Sequence, residues 1–319
     1  MAAPRLIRRL TILALTGLLG GPLAISAAAL SGLGHRWIDI LAQFTAPALI
    51  GAALIGLFAL ALRLWPVVGA SAVVLILTVI AGWPQWSPAR AAPQPDATVV
   101  TLYFANLYMG NDDVPAIARS ITEADADVVV LVEMSDAATA RIEEVLGDYP
   151  HRAIETRPSG RLGDRITIAS RRPLAAHRTV ESEAPYVAAT VQTGLGPLDV
   201  MGVHLTRPWP YQYQWAQIRQ VMDLTEIAAG LDHPVVMAGD FNSVSSARIG
   251  RQIKGDMGLV PAPGWPGTWP SQIPSPAAMT IDQVYHAPEL ALLDRRLGRR
   301  TGSDHRPVIV RLTKARTGS

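Results

Sequence analysis

Pro234-Val235-Val236-Met237-Ala238-Gly239-Asp240-Phe241-Asn242-Ser243 is the stretch that decides how this chain is read. Val235–Ala238 is a short, continuous apolar run of the kind that makes a buried strand. It stops in a carboxylate and an amide two residues apart. If the segment stays extended, Asp240 and Asn242 face the same side. The alternative for this pair is an Asx turn that closes the strand.

The pattern recurs outward in both directions. Val128–Val132 is a continuous apolar strand ending in Glu133, Leu198–Val203 ends in His204, and Leu102–Ala105 is followed by Asn106. Ile281-Asp282-Gln283-Val284 opens a strand over Gln283–His286, and Ser303-Asp304-His305-Arg306-Pro307 leads into one over Val308–Leu312. Period and composition predict further strands at Thr98–Phe104, Arg165–Ser170 and Tyr186–Gln192, and helices at Val114–Ala124, Asp136–Leu146 and Gln212–Ala229. More strands than helices, with polar residues repeatedly at strand ends, imply a mixed α/β sandwich. Carboxylates, amides and imidazoles at one rim of a sheet suit a hard, oxygen-seeking ion and a substrate anion.

The first ninety residues belong to another solvent. The chain has 319 residues, 49% apolar and 17% charged, with a formal net charge of +2. Residues 1–90 hold six arginines and one acid, Asp39, a net +5; the remainder holds 22 basic and 25 acidic residues, a net −3. The basicity therefore has a membrane meaning, and a broadly basic nucleic-acid-binding surface is disfavoured. Three stretches without charge, residues 10–34, 40–62 and 64–83, are each near the ~20 residues needed to cross hydrocarbon. A cleaved signal peptide ending near Ala27-Ala28-Ala29 is the alternative for the first. Trp37, Trp65, Trp83 and Trp86 fall at the ends of these runs, where indoles favour the interface. Arg5, Arg8, Arg9 and Arg63 on one side, against Arg36 and Arg90 on the other, predict that everything after Trp86 lies outside a cell (inner) membrane. Residues 84–97 read as a Pro-rich, extended linker and 98–315 as one catalytic domain. Absence of cysteine excludes disulfides, thiolate metal sites and a cysteine nucleophile.

The order Asn106, Glu133, His204, Gly239-Asp240-Phe241-Asn242, Asp282 and Ser303-Asp304-His305 resembles the endonuclease/exonuclease/phosphatase superfamily, which includes DNase I-like nucleases, apurinic endonucleases, sphingomyelinases and inositol-polyphosphate phosphatases. The likeness covers about residues 97–313. It implies a four-layered α/β sandwich with two central mixed sheets, here preceded by about three transmembrane helices, as in bacterial membrane-anchored members.

The resemblance also implies roles. Glu133 matches the principal magnesium-binding glutamate, Asn106 an asparagine that arranges metal and phosphate, and Asp304 a metal-proximal aspartate; Mg2+ is the implied cofactor, with Mn2+ a substitute. Asp240 matches the residue that orients or deprotonates the attacking water, and Asn242 the amide steadying phosphoryl oxygens. His305 matches the histidine contacting the scissile phosphate, oriented by Asp282, and His204 a second phosphate-contacting histidine. Trp269, in Gly267-Thr268-Trp269-Pro270, and Arg306 are expected to bind substrate. Tyr108 stands where some nucleases place a second acid, which implies one metal. Thr280-Ile281 precedes Asp282 where many nucleases carry arginine. Pro208-Trp209-Pro210-Tyr211-Gln212-Tyr213 is expected to wall the site, and Arg295, Arg296, Arg299 and Arg300 form a basic cluster.

The implied reaction is in-line attack of water on phosphorus, without a covalent enzyme intermediate. The expected partners are the membrane lipid bilayer and a phosphate-ester substrate. A nucleic acid is favoured by the resemblance; a phospholipid is favoured by the anchor and the acidic balance. No motif points to an obligate protein partner. The rival from another class is a catalytically silent membrane receptor or scaffold, which would have lost a metal or phosphate residue.

Overall fold

The computed structural model of the protein describes residues 2–154, 165–208 and 214–316. Five helices come first: α1 (Ala2–Leu18), α2 (Gly20–Ser31), α3 (Arg36–Ala42), α4 (Thr45–Ala61) and α5 (Trp65–Trp86). Two stretches, Arg5–Ser31 and Trp65–Trp86, are long and apolar enough to cross a membrane. The expected middle span is different. α3 and α4 are bent by 59° and meet that test only as a pair. Pro47 explains the break, because it has no N–H to offer the carbonyl of Gln43 and its ring collides with that carbonyl. α4 alone has 17 residues, about 25 Å of helix against ~30 Å of hydrocarbon.

The helices pack along Leu19, Ala52, Ala59, Leu64, Val67 and Val74. The Ser26 and Thr78 hydroxyls share a 2.7 Å hydrogen bond between α2 and α5, a polar tie of the kind common between apolar helices. Arg8 donates to the Arg63 carbonyl at 3.4 Å, so both arginine groups occupy one end of the bundle. Leu54, Leu57, Phe58 and Ile76 face outward, each more than half exposed.

The rest is a sandwich of four layers. One sheet has the order β11 (Leu290–Leu297), β12 (Val308–Lys314), β1 (Val100–Asn106), β2 (Val128–Val132), β4 (Ile166–Ser170), β3 (His151–Ile154). The other has the order β5 (Leu174–Ala176), β6 (Tyr186–Thr193), β7 (Gly196–His204), β8 (Val235–Asp240), β10 (Asp282–His286), β9 (Val260–Pro261). Alternation explains the layering. Leu102, Phe104, Val128, Val130 and Val132 point between the sheets. Tyr103, Ala105, Val129 and Leu131 point to α6 (Val114–Ala124), α7 (Asp136–Ala140) and α8 (Ile142–Leu146). Both faces are apolar because both are covered. On the second sheet Met201, Val203 and Met237 pack under α9 (Gln214–Ala229) and α10 (Arg248–Met257).

Two expectations are corrected in detail. The helix expected over Asp136–Leu146 is two, because Arg141 leaves helical geometry between them. Residues 84–97 do not run free: α5 continues through Pro84, and Gln94 N–H and Arg316 N–H bond to the carbonyls of Lys314 and Ala92, both at 2.8 Å. Short β5 and β9, charged β11 and glycine-containing α10 carry too little pattern to be read from sequence.

Candidate active site

Strand direction gathers the rim. β1 and β2 are parallel, as are β7 and β8, so Asn106, Glu133, His204 and Asp240 lie at carboxyl ends. β10 runs antiparallel to β8 and β12 antiparallel to β1, so Asp282 and the Ser303–Arg306 segment arrive at that edge from the other direction. In register, Asp240 is flanked by His204 on one side and Asp282 on the other.

The Gly-Asp-Phe-Asn motif is built from three constraints. A Cβ on Gly239 would lie 2.1 Å from the Val203 carbonyl, so only glycine fits against β7. Phe241 is fully buried and meets Tyr285 edge-on at 5.0 Å. Gln217 on α9, itself fully buried, donates to the Phe241 carbonyl at 2.9 Å. The segment does not stay extended. Asn242 has φ +46°, and its N–H donates to Asp240 Oδ1 at 2.8 Å, the Asx turn of the alternative reading. Asn242 Nδ2 donates one hydrogen to the Leu205 carbonyl at 2.8 Å, leaving its second hydrogen for another acceptor. Glu133 also sits at positive φ, +54°, so both ends of the rim store backbone strain of the kind that clusters at working sites.

The acids are wired together. Asn106 Nδ2 donates to Glu133 Oε1 at 2.8 Å and to Asp240 Oδ2 at 3.0 Å. Its oxygen accepts the Tyr108 N–H at 2.9 Å, which orients the amide. Asn106 therefore bridges two carboxylates through its NH2 rather than presenting oxygen to the space between them. His204 Nε2 lies 3.3 Å from Glu133 Oε1 and 4.0 Å from Asp240 Oδ2.

His305 Nδ1 donates to the fully buried Asp282, 2.8 Å to Oδ2 and 3.0 Å to Oδ1. That leaves Nε2 facing Asp304 Oδ1 at 3.8 Å and Asp240 Oδ2 at 3.9 Å. Burial alone would push the imidazole down, but the Asp282 charge and hydrogen bond, with Asp240 and Asp304 behind, raise it to about 10. Asp240 is pushed up to about 6, by burial first and then by Asp282, against the pull of His305 and His204. Trp269 Nε1 donates to Asp304 Oδ2 at 3.1 Å, so this indole belongs to the rim.

The donor set fits a hard divalent cation. It offers carboxylates and no thiolate, and Asp304 Oδ1 is buried without a hydrogen-bond partner. Oxygens of Glu133 and Asp240 and the nitrogen of His204 lie within 4.8 Å of one another.

Arg306 is the expected site residue that the structure turns away: its guanidinium donates to the Gly298 carbonyl at 2.9 Å. The basic cluster disperses likewise. Arg295 donates to the Pro266 carbonyl at 2.7 Å, and Arg299 pairs with Glu123. The wall expected at 209–213 lies outside the described residues; Pro208 lines an apolar space beside the rim. Gln217 and Arg207 were not singled out from the sequence. A buried-face amide in α9 is the signal for Gln217, whereas Arg207, stacked at 5.9 Å over Trp269, carries none.

A buried Asp–His pair facing clustered carboxylates, on a two-sheet sandwich, defines a phosphoester-hydrolase class of site. The profile of the Endonuclease/Exonuclease/phosphatase family matches residues 104–305, and the chain belongs to that family. It is a hydrolase acting on ester bonds, of a family whose enzymes depend on a divalent metal. No curated protein matches the sequence. Solved structures share the fold. An endonuclease/exonuclease/phosphatase from Beutenbergia cavernae is 21% identical over 68% of this chain and 72% of its own, with TM-score 0.54. D. rerio TDP2 complexed with a single-strand DNA product is 15% identical over 68% and 100%, with TM-score 0.53. A mutant beta toxin from Staphylococcus aureus with bound magnesium ions is 14% identical over 68% and 100%, with TM-score 0.51.

Proposed function

We propose that the protein is a membrane-anchored, magnesium-dependent phosphodiesterase, manganese substituting, whose catalytic unit (residues 98–315) lies on the extracytoplasmic side of the inner membrane. The observation that carries the reaction is the pairing of Asp240 and His305 across 3.9 Å, His305 held by Asp282 and Asp240 by Asn106 and the Asn242 N–H. Asp240 accepts a proton from the attacking water, a task suited to a carboxylate raised toward neutrality. His305, kept charged by Asp282, donates through Nε2 to a phosphoryl oxygen, and His204 and the spare hydrogen of Asn242 do so from the other side. Asn106 fixes the spacing of Asp240 and Glu133. A divalent ion held by Glu133 and Asp304 would supply further positive charge against the phosphate.

The topology is supported by the bundle itself. Arg8 and Arg63 share one end, while Gly34 and Gln85, at the other, bond to Arg248 at 3.2 Å and Gly264 at 2.7 Å. A catalytically silent scaffold is disfavoured because none of the rim residues is lost. A nucleic-acid substrate has the neighbour crystallised with single-strand DNA product in its favour, but the net −3 of residues 91–319 and the dispersed arginines count against it. The test is a panel of single- and double-stranded DNA, RNA, phospholipids and a chromogenic phosphodiester, with magnesium and with chelator. Hydrolysis that requires the metal is expected for at least one member. Hydrolysis of none by the folded protein would sink the reading.

A further inference from the structure

Beside the polar rim lies an apolar space of about 150 Å³, walled on one side by Ile40 and Phe44 and on the other by Trp269, Met279 and Ile281. The first wall is the α3–α4 bend, and the second is the segment that ends in Asp282. Asn242 and Arg207 line this space and also line the polar cleft of about 340 Å³ that contains Glu133 and His204. The two spaces therefore share a border made of residues that face phosphate chemistry on one side and hydrocarbon on the other.

Continuity with the bundle says what the hydrocarbon is. Phe44 immediately precedes α4, whose Leu54, Leu57 and Phe58 are exposed, and the turn Ser275–Ala277 packs against α4 beside the same space. The apolar space thus lies between the start of α4, a helix with an outward-facing apolar surface, and the catalytic rim. A nucleobase would bring several polar edge groups into a lining that is mostly apolar, whose polar side chains are Gln43, Arg207 and Asn242.

We propose that the substrate is an amphiphile: a lipid phosphodiester whose phosphate takes the polar cleft and whose hydrocarbon lies between the α3–α4 bend and the Trp269–Ile281 wall. This rests on the phosphodiesterase reading above. Water adds its oxygen to phosphorus and gives a proton to Asp240, the bond to the leaving alkoxide breaks, and that oxygen takes up one proton. The products are a phosphomonoester and an alcohol.

The test uses the full chain in detergent with magnesium and a series of alkyl 4-nitrophenyl phosphodiesters, methyl through butyl, all freely soluble. Each methylene that enters the apolar space should raise kcat/KM about three- to fourfold, so butyl should exceed methyl by roughly thirty- to sixtyfold. Phe44→Asn should flatten that dependence, the methyl ester serving to report that the site is intact. The dependence in the unmodified chain is informative even if the variant fails to fold. A flat series in a chain that hydrolyses the methyl ester overturns the amphiphile and leaves the phosphodiesterase standing. An oligonucleotide cleaved with higher kcat/KM than the butyl ester overturns it too. Failure to cleave any phosphoester with magnesium or manganese removes the phosphodiesterase reading, and the amphiphile with it.

Discussion

Asp39, in the short helix before the bend, accepts the backbone N–H of Arg248 at 2.6 Å across 209 residues of sequence. Arg248 is the first residue of α10, and Ala247 at its N-cap makes no side-chain bond. The acid of the N-terminal helical bundle thus does the work of a cap for a helix of the sandwich. Its other oxygen accepts Gln214 Nε2 at 2.7 Å, so a buried amide at the start of α9 depends on it as well.

Asp39→Ala should therefore loosen α9 and α10 together. Loss of a cap costs ~1 kcal/mol, and stranding a buried amide adds ~1–3 kcal/mol. A fall in the thermal midpoint of the catalytic unit is expected, with Asp39→Asn falling less because its oxygen can still accept one bond. Equal midpoints for Asp39→Ala and the parent would show that the contact contributes nothing.

The same contacts bear on a chain beginning near Asp96. Its three cores run from Val100 to Leu312 without help from residues 1–95, so it should fold and melt cooperatively. It also loses Asp39 and the Gln85 carbonyl that accepts Gly264 N–H at 2.7 Å. The expected result from circular dichroism is a cooperative transition at a lower midpoint than the full chain. A molten product would mean that the helical bundle is part of the core.

What the sequence made legible was chiefly what pattern encodes. Val128–Val132 and Val235–Ala238 are apolar at every position, so they could be read as buried strands, and the polar residues that end them could be read as a rim. The bend at Gln43 also had a signal, since Pro47 interrupts the uncharged run, but counting charges ignores backbone donors. Asp39 bonding to Arg248 had none: a tertiary contact between a short helix of the N-terminal bundle and the start of a distant helix leaves no local period. The turn at Asn242 escaped because an extended Asp-Phe-Asn and an Asx turn have identical sequences; the close approach at Gly239 and the burial of Phe241 decide it. Arg306 lay in the right motif, but the Gly298 carbonyl captures it.

The pH dependence follows from the two buried groups. Asp240 must be ionised to take a proton, and it is raised to about 6, so the rate should fall as pH drops through and below that value. His305 must be charged, and it is raised to about 10, so the rate should hold until the pH approaches that limit. For stability of the chelated protein the sign is set by linkage. A histidine whose folded value lies above its unfolded 6.5 contributes stability fully present below pH 6.5 and lost as pH rises through about 10. His305→Gln should lack this alkaline loss. Thermal midpoints of parent and variant from pH 6 to 10 would converge as pH rises; parallel curves would show that the imidazole is not held charged.

The division of labour between metal and phosphate can be separated by three substitutions. Glu133→Gln keeps an oxygen for Asn106 but removes a negative charge from the proposed cation site, so activity should fall and half-saturating magnesium should rise. His305→Ala removes a donor to phosphate and should cost about 10²- to 10⁴-fold in turnover with magnesium dependence nearly unchanged. Asp240→Asn keeps the acceptor for Asn242 N–H but cannot take a proton from water. Turnover should fall strongly, and the magnesium requirement should shift less than in Glu133→Gln, because Asp240 is the shared neighbour of both halves of the rim. Rate against magnesium concentration for all three reads the two effects independently. If Glu133→Gln retains the parent's rate and magnesium dependence on a substrate the parent cleaves, the cation is held elsewhere, and the bridge Asn106 makes between Glu133 and Asp240 is structural only.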